Sequence, residues 1–308
     1  MPSCQAVTSL ALFVGLTACA GGAHAEPFDG VRVHHAAAGD RPAFEELRGA
    51  FARANAGYDL AWHAQCRELA AADRDRVVFV QGPAERTAEP TVGDALIVRA
   101  GESWHAPDAQ PLDLVAFTLP QPVPKELPPI VRPDWDPNIT DTPGGCATEG
   151  DAYRRILLTW NPEVGPYVLH QLNAHRVRIT NSFSHYHPVE GGFDEFYLVQ
   201  ELPKNGRARI LTSTHVDAIE SRNVSRSEAA DLIESRDLHV GDLVYLPRGT
   251  MHRGLGGAVV QVISVPGFVP KREIGLDHHL WAINRELGLV GDEALPFHLV
   301  AARTSVVK

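Results

Sequence analysis

Residues 240–252 read VGDLVYLPRGTMH, which combines a Gly-Asp turn, an apolar strand, a second turn at Gly249 and a histidine. A related segment, VGDALIVRAGESWH, occupies residues 92–105. Each segment follows a run of residues that favour β structure. Residues 77–82 precede the segment at 92–105, and residues 196–200 precede the segment at 240–252. Because strand, turn, strand and histidine recur in the same order, the sequence predicts a duplicated β unit.

His185 and His187 stand at the end of an alternating run of apolar and polar residues. In a β-strand, residues two apart share a face, so both imidazoles are expected to point where Phe183 points, toward the interior of a predicted barrel. Glu195 opens the next apolar strand, from which its carboxylate reaches back across a hairpin. Imidazole and carboxylate groups gathered in this way are typical ligands of a divalent metal ion.

Residues 241–252 have the spacing Gly-x5-Pro-x-Gly-x2-His and resemble the second motif of the cupin superfamily. Residues 185–195 resemble the first cupin motif, in which HxH is followed by a Glu just before an apolar strand. The resemblance implies one divalent metal ion, with Fe, Mn, Ni, Co and Zn as candidates, held by His185, His187, Glu195 and His252. By the same resemblance, Glu195 is the candidate catalytic residue, able to take a proton from a bound substrate.

The carboxylate ligand has a competitor. Seven residues separate His187 from Glu195, where three or four are usual in the family, and Glu190 lies inside this insertion. Glu195 is favoured because it directly precedes the apolar strand, whereas Glu190 stands beside two glycines in a predicted loop.

The first copy resembles the family less closely. His63, Asp75 and His105 are the residues that could form a site there, but Ala61 replaces one histidine of the HxH pair and His105 is displaced by one position. A first barrel kept for packing is the favoured interpretation. The resemblance spans residues 58–266 and implies an all-β fold of two tandem cupin barrels, also described as double-stranded β-helix or jelly-roll barrels, with helical insertions.

Proline occurs seven times between residues 120 and 137, which indicates an extended connector. We expect a degenerate N-terminal cupin domain at 26–120, a Pro-rich linker at 121–150, a metal-binding C-terminal cupin domain at 151–270 and a helical extension at 271–308. The pattern of apolar residues predicts further helices at 41–54 and 225–236, the second beginning with a capping box.

Residues 1–25 contain no Asp, Glu, Lys or Arg and are predicted to be a signal peptide or lipoprotein leader. Ala-His-Ala at 23–25 has the form of a signal peptidase site, whereas LTAC at 16–19 resembles a lipoprotein box that would place a lipid anchor on Cys19. We therefore expect an exported protein, periplasmic or extracellular, with membrane anchoring as an alternative. In that compartment Cys66 and Cys146 form either a disulfide or two free thiols.

The 308 residues carry 28 Lys and Arg against 38 Asp and Glu, a formal charge of −10 that disfavours nucleic-acid binding. The predicted mature chain, after residue 25, lacks the motifs of serine hydrolases, P-loop NTPases and nicotinamide enzymes. Three functions toward a small-molecule substrate are consistent with the resemblance. These are a metal-dependent, dioxygenase-like cupin oxidoreductase, a sugar or sugar-acid isomerase or epimerase, and a non-catalytic binding protein of the cell envelope. For the isomerase, Arg178 and Lys204 are the candidate partners of a substrate anion.

Overall fold

The computed structural model describes residues 30–35, 39–82, 88–107, 110–144, 153–204 and 206–308. The predicted leader, Cys19 and Cys146 lie outside these ranges. Cys66 is a free cysteine whose thiol donates a hydrogen bond to the carbonyl of Glu68. Within the described ranges, no helix has both the length and the apolar character that a membrane span requires.

The first part of the chain forms an antiparallel β unit. In order it contains β1 (Arg32–His35), α1 (Arg41–Ala54), β2 (Asp59–Cys66), β3 (Glu68–Leu69), β4 (Arg76–Gly82), β5 (Ala95–Val98), β6 (Trp104–His105), β7 (Leu112–Thr118) and β8 (Ile130–Val131). Strands β2, β7, β4, β5 and β8 lie side by side in that order, and β3 pairs with β6. The helix predicted at 41–54 is present as α1, which begins where the Asp40 carboxylate accepts a hydrogen bond from the Ala43 amide.

The second part is a larger antiparallel unit. It contains β9 (Arg154–Leu158), β10 (Asn173–Asn181), β11 (His185–Tyr186), β12 (Asp194–Glu201), β13 (Ala208–Ser213), α2 (Val216–Ser221), α3 (Arg226–Ala229), β14 (Glu234–Leu238), β15 (Asp242–Leu246), β16 (Met251–Val265), β17 (Ile274–Gly275) and α4 (Asp277–Leu287). The first half of β16 pairs with β11 and β13, and its second half pairs with β10 and β12. This strand therefore joins the two faces of the barrel. At its midpoint, Gly256 has φ +94°, and a Cβ there would lie 2.2 Å from the carbonyl oxygen of Arg207.

The two units repeat the turn that the sequence shares. Gly93 and Gly241 have φ values of +98° and +96°. In the first turn the Asp94 carboxylate accepts the Thr91 amide at 2.9 Å, and in the second the Asp242 carboxylate accepts the His239 amide at 2.8 Å. The predicted duplication is thus present in the backbone, and the shared Asp stabilises the same turn twice.

Strand β1 crosses to the second unit, whereas β8 extends the first. Strand β1, from the first part of the chain, pairs with β15 of the second sheet, and β8, from the predicted linker, pairs with β5 of the first. The predicted N-terminal domain therefore contributes to the second sheet, and part of the predicted linker belongs to the first. The β1–β15 pair ties the two units together through backbone hydrogen bonds.

The units also share a hydrophobic core. Phe51 of α1 makes edge-to-face contacts with Phe117 of the first sheet and with Phe196 and Tyr245 of the second, at centroid distances of 5.9, 5.1 and 6.1 Å. Tyr245 lies in this core and not in the barrel interior. The predicted helical insertion α1 thus packs between the two units.

The prediction of a helix at 225–236 is wrong for the second half of this range. Its capping box is present, with Ser225 and Glu228 bonded reciprocally, but α3 ends at Ala229. Residues 234–238 instead form β14 and pair with β13. Local spacing favoured a helix, whereas the free edge of β13 supplied backbone partners that the spacing does not reveal.

Candidate metal centre

Four side chains predicted as metal ligands meet inside the second barrel. His185, His187, Glu195 and His252 each offer a donor atom, and these atoms lie within 4.8 Å of one another. His185 and His252 are direct neighbours across the β11–β16 pair, and Glu195 comes from β12. All four residues are at most 2% exposed.

The backbone orients the imidazoles toward one another. Nδ1 of His185 lies 3.1 Å from the carbonyl of Phe183, and Nδ1 of His252 lies 3.3 Å from that of Thr250. A carbonyl oxygen can only accept a hydrogen bond, so Nδ1 carries the proton in both rings. The lone pair of Nε2 then faces the cluster. Partners of this kind are what orient histidine ligands in metal sites.

Aromatic rings hold two of the histidines in place. Phe183 stacks on His185 at 4.4 Å, and Phe193 stacks on His187 at 3.9 Å between ring centroids. Burial lowers the pKa of both His185 and His187 well below the usual range, and the neighbouring His252 lowers it further. Both rings are therefore neutral at neutral pH, the state in which imidazole binds a metal.

The donor atoms fit a divalent metal ion. Within the described part of the chain, Nε2 of His185, His187 and His252 and Oε2 of Glu195 are buried without a hydrogen-bond partner. Glu195 Oε2 and His252 Nε2 lie 2.8 Å apart, but not in hydrogen-bonding geometry. Four buried lone-pair donors converging without partners would be costly in a purely structural cluster. This group could bind a metal through three imidazoles and one carboxylate.

The structure separates the two carboxylate candidates. Glu195 is 2% exposed and belongs to the cluster, whereas Glu190 is exposed in the turn before β12. We expect Glu195→Gln to lower metal content much more than Glu190→Gln does, because only Glu195 contributes a charged donor atom to the cluster. Metal analysis of the two purified variants measures this difference. Equal losses would show that the carboxylate of Glu195 is not a ligand.

The candidate residues of the first unit do not gather. The Asp75 carboxylate accepts hydrogen bonds from the amides of Ala100 and Val123, both at 2.6 Å, which makes it a structural group. His105 is exposed, with Nδ1 4.0 Å from Glu68. Among the described residues, His63, Asp75 and His105 belong to no cluster of metal-ligand type.

A small cavity of about 30 Å³ adjoins the cluster on the side of Glu195. Its apolar wall is formed by Ile156, Leu158, Trp160 and Phe268, and its polar wall by Arg154, Asn173, His175, Glu195, Ser264 and Glu273. Arg178 and Lys204, the cationic residues that the sequence suggested, do not line it. Three lining residues were not predicted from the sequence as part of the site, namely Arg154, His175 and Glu273. Strand register brings Arg154 of β9 and His175 of β10 to the cavity, and the return of the chain after β16 brings Glu273. The alternation of β10 places His175 on the same face as Val177 and could have identified it.

Glu273 is the titratable group of this cavity with the clearest stability effect. Burial, and then the nearby charge of Glu195, raise the pKa of Glu273 from 4.5 to about 7. The folded state therefore favours the protonated carboxyl, and stability from this group is full below about pH 4.5 and is lost as the pH rises to about 7.

In the metal-free protein, we expect Glu273→Gln to abolish a loss of up to about 3 kcal/mol in the free energy of unfolding between low and high pH. The variant should match the wild type near pH 4 and exceed its free energy of unfolding at pH 8. Urea unfolding across this range measures the difference between the two proteins. Parallel pH profiles would contradict the expectation.

No family model and no curated protein matches the chain. Solved structures resemble it at low identity. An IolB-like protein from Salmonella typhimurium LT2 is 15% identical, with a TM-score of 0.46 over 74% of this chain and 89% of that chain. A salicylate 1,2-dioxygenase from Pseudaminobacter salicylatoxidans is 10% identical, with a TM-score of 0.40 over 68% and 70%. Procruciferin, an 11S globulin from Brassica napus, is 12% identical, with a TM-score of 0.44 over 82% and 86%.

With identities of 10–15% and TM-scores of 0.40–0.46, no activity follows from these similarities. The features of the molecule itself are two similar antiparallel β units, the pairing of β1 with the second unit, and a buried cluster of three histidines and one glutamate. The chain is therefore an all-β protein with two such units in tandem and the metal-ligand type cluster in the second.

Proposed function

We propose that this chain is a metal-dependent oxidoreductase of the dioxygenase type, acting on a small organic substrate in the second barrel. The observation that supports it is the contact between the donor cluster and the cavity. Glu195 belongs to both, so a molecule in the cavity lies beside this ligand. The cavity of about 30 Å³ admits water-sized molecules, so an organic substrate requires its walls to move apart.

The donor set suits Fe, Mn, Ni, Co or Zn, and one such bound ion would supply Lewis-acid or redox chemistry at this position. The protein contributes the remaining parts of the site. His185, His187 and His252 supply imidazole nitrogens, and Glu195 supplies a carboxylate oxygen. The Glu195 carboxylate is also placed to accept a proton from a substrate in the cavity.

The aromatic wall supports an organic substrate with an apolar part. Trp160 and Phe268 pack with ring centroids 4.1 Å apart, and Ile156 and Leu158 extend the same wall. Such a surface favours contact with an apolar group over contact with water. The polar wall then orients the substrate toward Glu195.

A second candidate, a sugar or sugar-acid isomerase, is favoured by three other groups in the cavity. Arg154 provides a cation for a substrate anion, while Glu273 and His175 provide acid and base groups besides Glu195. His175 Nε2 is buried without a hydrogen-bond partner among the described residues, and burial lowers its pKa well below the usual value. A neutral imidazole of this kind is able to form a hydrogen bond with a substrate through Nε2.

Oxygen consumption and proton exchange distinguish the two reactions. The purified protein is analysed for metal and then tested with a panel of phenols, keto acids and sugars in an oxygen-electrode cell. In parallel, each substrate is incubated in D2O and its deuterium content is measured by mass spectrometry. His252→Ala serves as the inactive variant, and Glu190→Gln, changed on an exposed turn, serves as the matched control.

The oxidoreductase proposal expects oxygen uptake equal to the substrate consumed, lost in His252→Ala and kept in Glu190→Gln. Deuterium incorporation without oxygen uptake would support the isomerase instead. Binding of panel compounds with neither change would favour a binding protein of the cell envelope and would overturn the enzymatic proposal.

A further inference from the structure

A second group of metal-ligand side chains lies on the surface where β1 joins the second sheet. His35 of β1 faces Asp242 of β15 directly in the strand register, and His239 lies three residues before Asp242 in the repeated turn. Each residue offers one donor atom, and the three atoms lie within 4.8 Å of one another. This group shares no residue with the buried cluster.

The distances are close to those of a metal shell. His35 Nδ1 makes a hydrogen bond of 2.6 Å to one oxygen of Asp242, and His239 Nδ1 lies 3.6 Å from the other oxygen. A tetrahedral zinc ion that holds two ligands at about 2.1 Å keeps them about 3.4 Å apart. Small rotations of the two rings would therefore be enough to admit an ion.

Exposure of the three groups is suited to reversible binding. The side chain of Asp242 is 2% exposed, whereas those of His35 and His239 are 47% and 67% exposed. The carboxylate is held in position by the His239 amide, which donates to it at 2.8 Å. An ion held by one fixed carboxylate and two accessible imidazoles would take water as its remaining ligands.

The first unit shows that the turn itself does not need these histidines. At the equivalent position Asp94 accepts a hydrogen bond from the Thr91 amide. Its second partner is Arg132, which directly follows β8 and donates to it at 3.0 Å. Thr91 and Arg132 stabilise the same turn with a hydrogen bond and a fixed charge. The second unit places two metal-binding side chains at the corresponding places, His239 and His35.

We propose that His35, His239 and Asp242 form a surface site for a transition-metal ion such as Zn2+, which fastens β1 to the second barrel. The ion would join two segments about 200 residues apart in the chain, His35 and the turn before β15. Its occupation does not depend on the function proposed for the buried cluster.

Zinc stoichiometry tests the proposal with the full chain. Chelator-stripped protein is dialysed against buffered ZnCl2, and bound zinc is measured by atomic absorption. The variants are His239→Thr, which installs the residue that the first unit has in this turn, His252→Ala, and the combination of both. His215→Ala, which removes an exposed histidine outside both groups, is the matched control.

We expect His239→Thr to lose one zinc equivalent relative to the wild type, whether or not the buried cluster takes zinc. His252→Ala and His215→Ala should keep that equivalent. Zinc should also slow tryptic cleavage after Arg32 in the wild type and not in His239→Thr, because cleavage requires β1 to detach.

Wild-type zinc content in His239→Thr would overturn the proposal, as would an equal loss in His239→Thr and His215→Ala. Failure of the buried site has a different signature, since the zinc content would then be unchanged by His252→Ala.

Discussion

Replacing His252 with alanine is expected to lower the affinity of the second barrel for a divalent ion by more than about a hundredfold. Loss of partners that merely orient metal ligands costs about 10- to 100-fold, and His252 supplies a donor atom directly. His185→Ala and His187→Ala should act similarly. Metal content after dialysis against a weak chelator measures the effect.

The matched control is His105→Ala, at the nearest counterpart of His252 in the first unit. His105 is exposed and belongs to no described cluster, so the metal content should hardly change. Folding is checked separately by unfolding the metal-free proteins. Because His252 Nε2 is buried without a hydrogen-bond partner, its removal should cost little stability in the absence of metal. Equal sensitivity to His105→Ala and His252→Ala would mean that the first unit also holds a working site.

The buried cluster could be predicted because its signals are local. His185 and His187 are two residues apart on one strand, Glu195 directly precedes an apolar strand, and His252 follows a turn motif of fixed spacing. Periodicity places such residues on a face without knowledge of the rest of the fold. The same applies to α1, whose capping residue and apolar stripe both lie within 15 residues.

The remaining features depend on contacts between distant parts of the chain. The pairing of β1 with β15 and of β8 with β5 has no sequence signal, because the backbone groups of any segment can form these hydrogen bonds. Glu273 reaches the cavity after the chain has left β16, and β14 forms where a helix was expected, because β13 offered it a partner. Local patterns do not contain this information.

The junction between the units depends on Asp194, which precedes Glu195 and is fully buried. Its carboxylate accepts hydrogen bonds from Arg248 Nε at 2.8 Å, from the Arg248 amide at 2.9 Å and from the Tyr245 hydroxyl at 2.8 Å. Asn55, at the end of α1, donates a further bond to it and also accepts one from Arg248. One buried charge thus connects the helix of the first unit with two strands of the second.

Asp194→Ala is therefore expected to lower the free energy of unfolding by about 3–5 kcal/mol, because it leaves the Arg248 charge, which is only 15% exposed, without its partner. Urea unfolding of the metal-free protein measures this loss without interference from the neighbouring Glu195. The matched control is Glu234→Ala, which removes an exposed ion pair with Arg236 and should cost less than about 1 kcal/mol. Since the network and the Phe51 core both span the junction, the two units should unfold in a single transition in the wild type. A loss no larger than that of Glu234→Ala would show that the Asp194 network does not stabilise the junction.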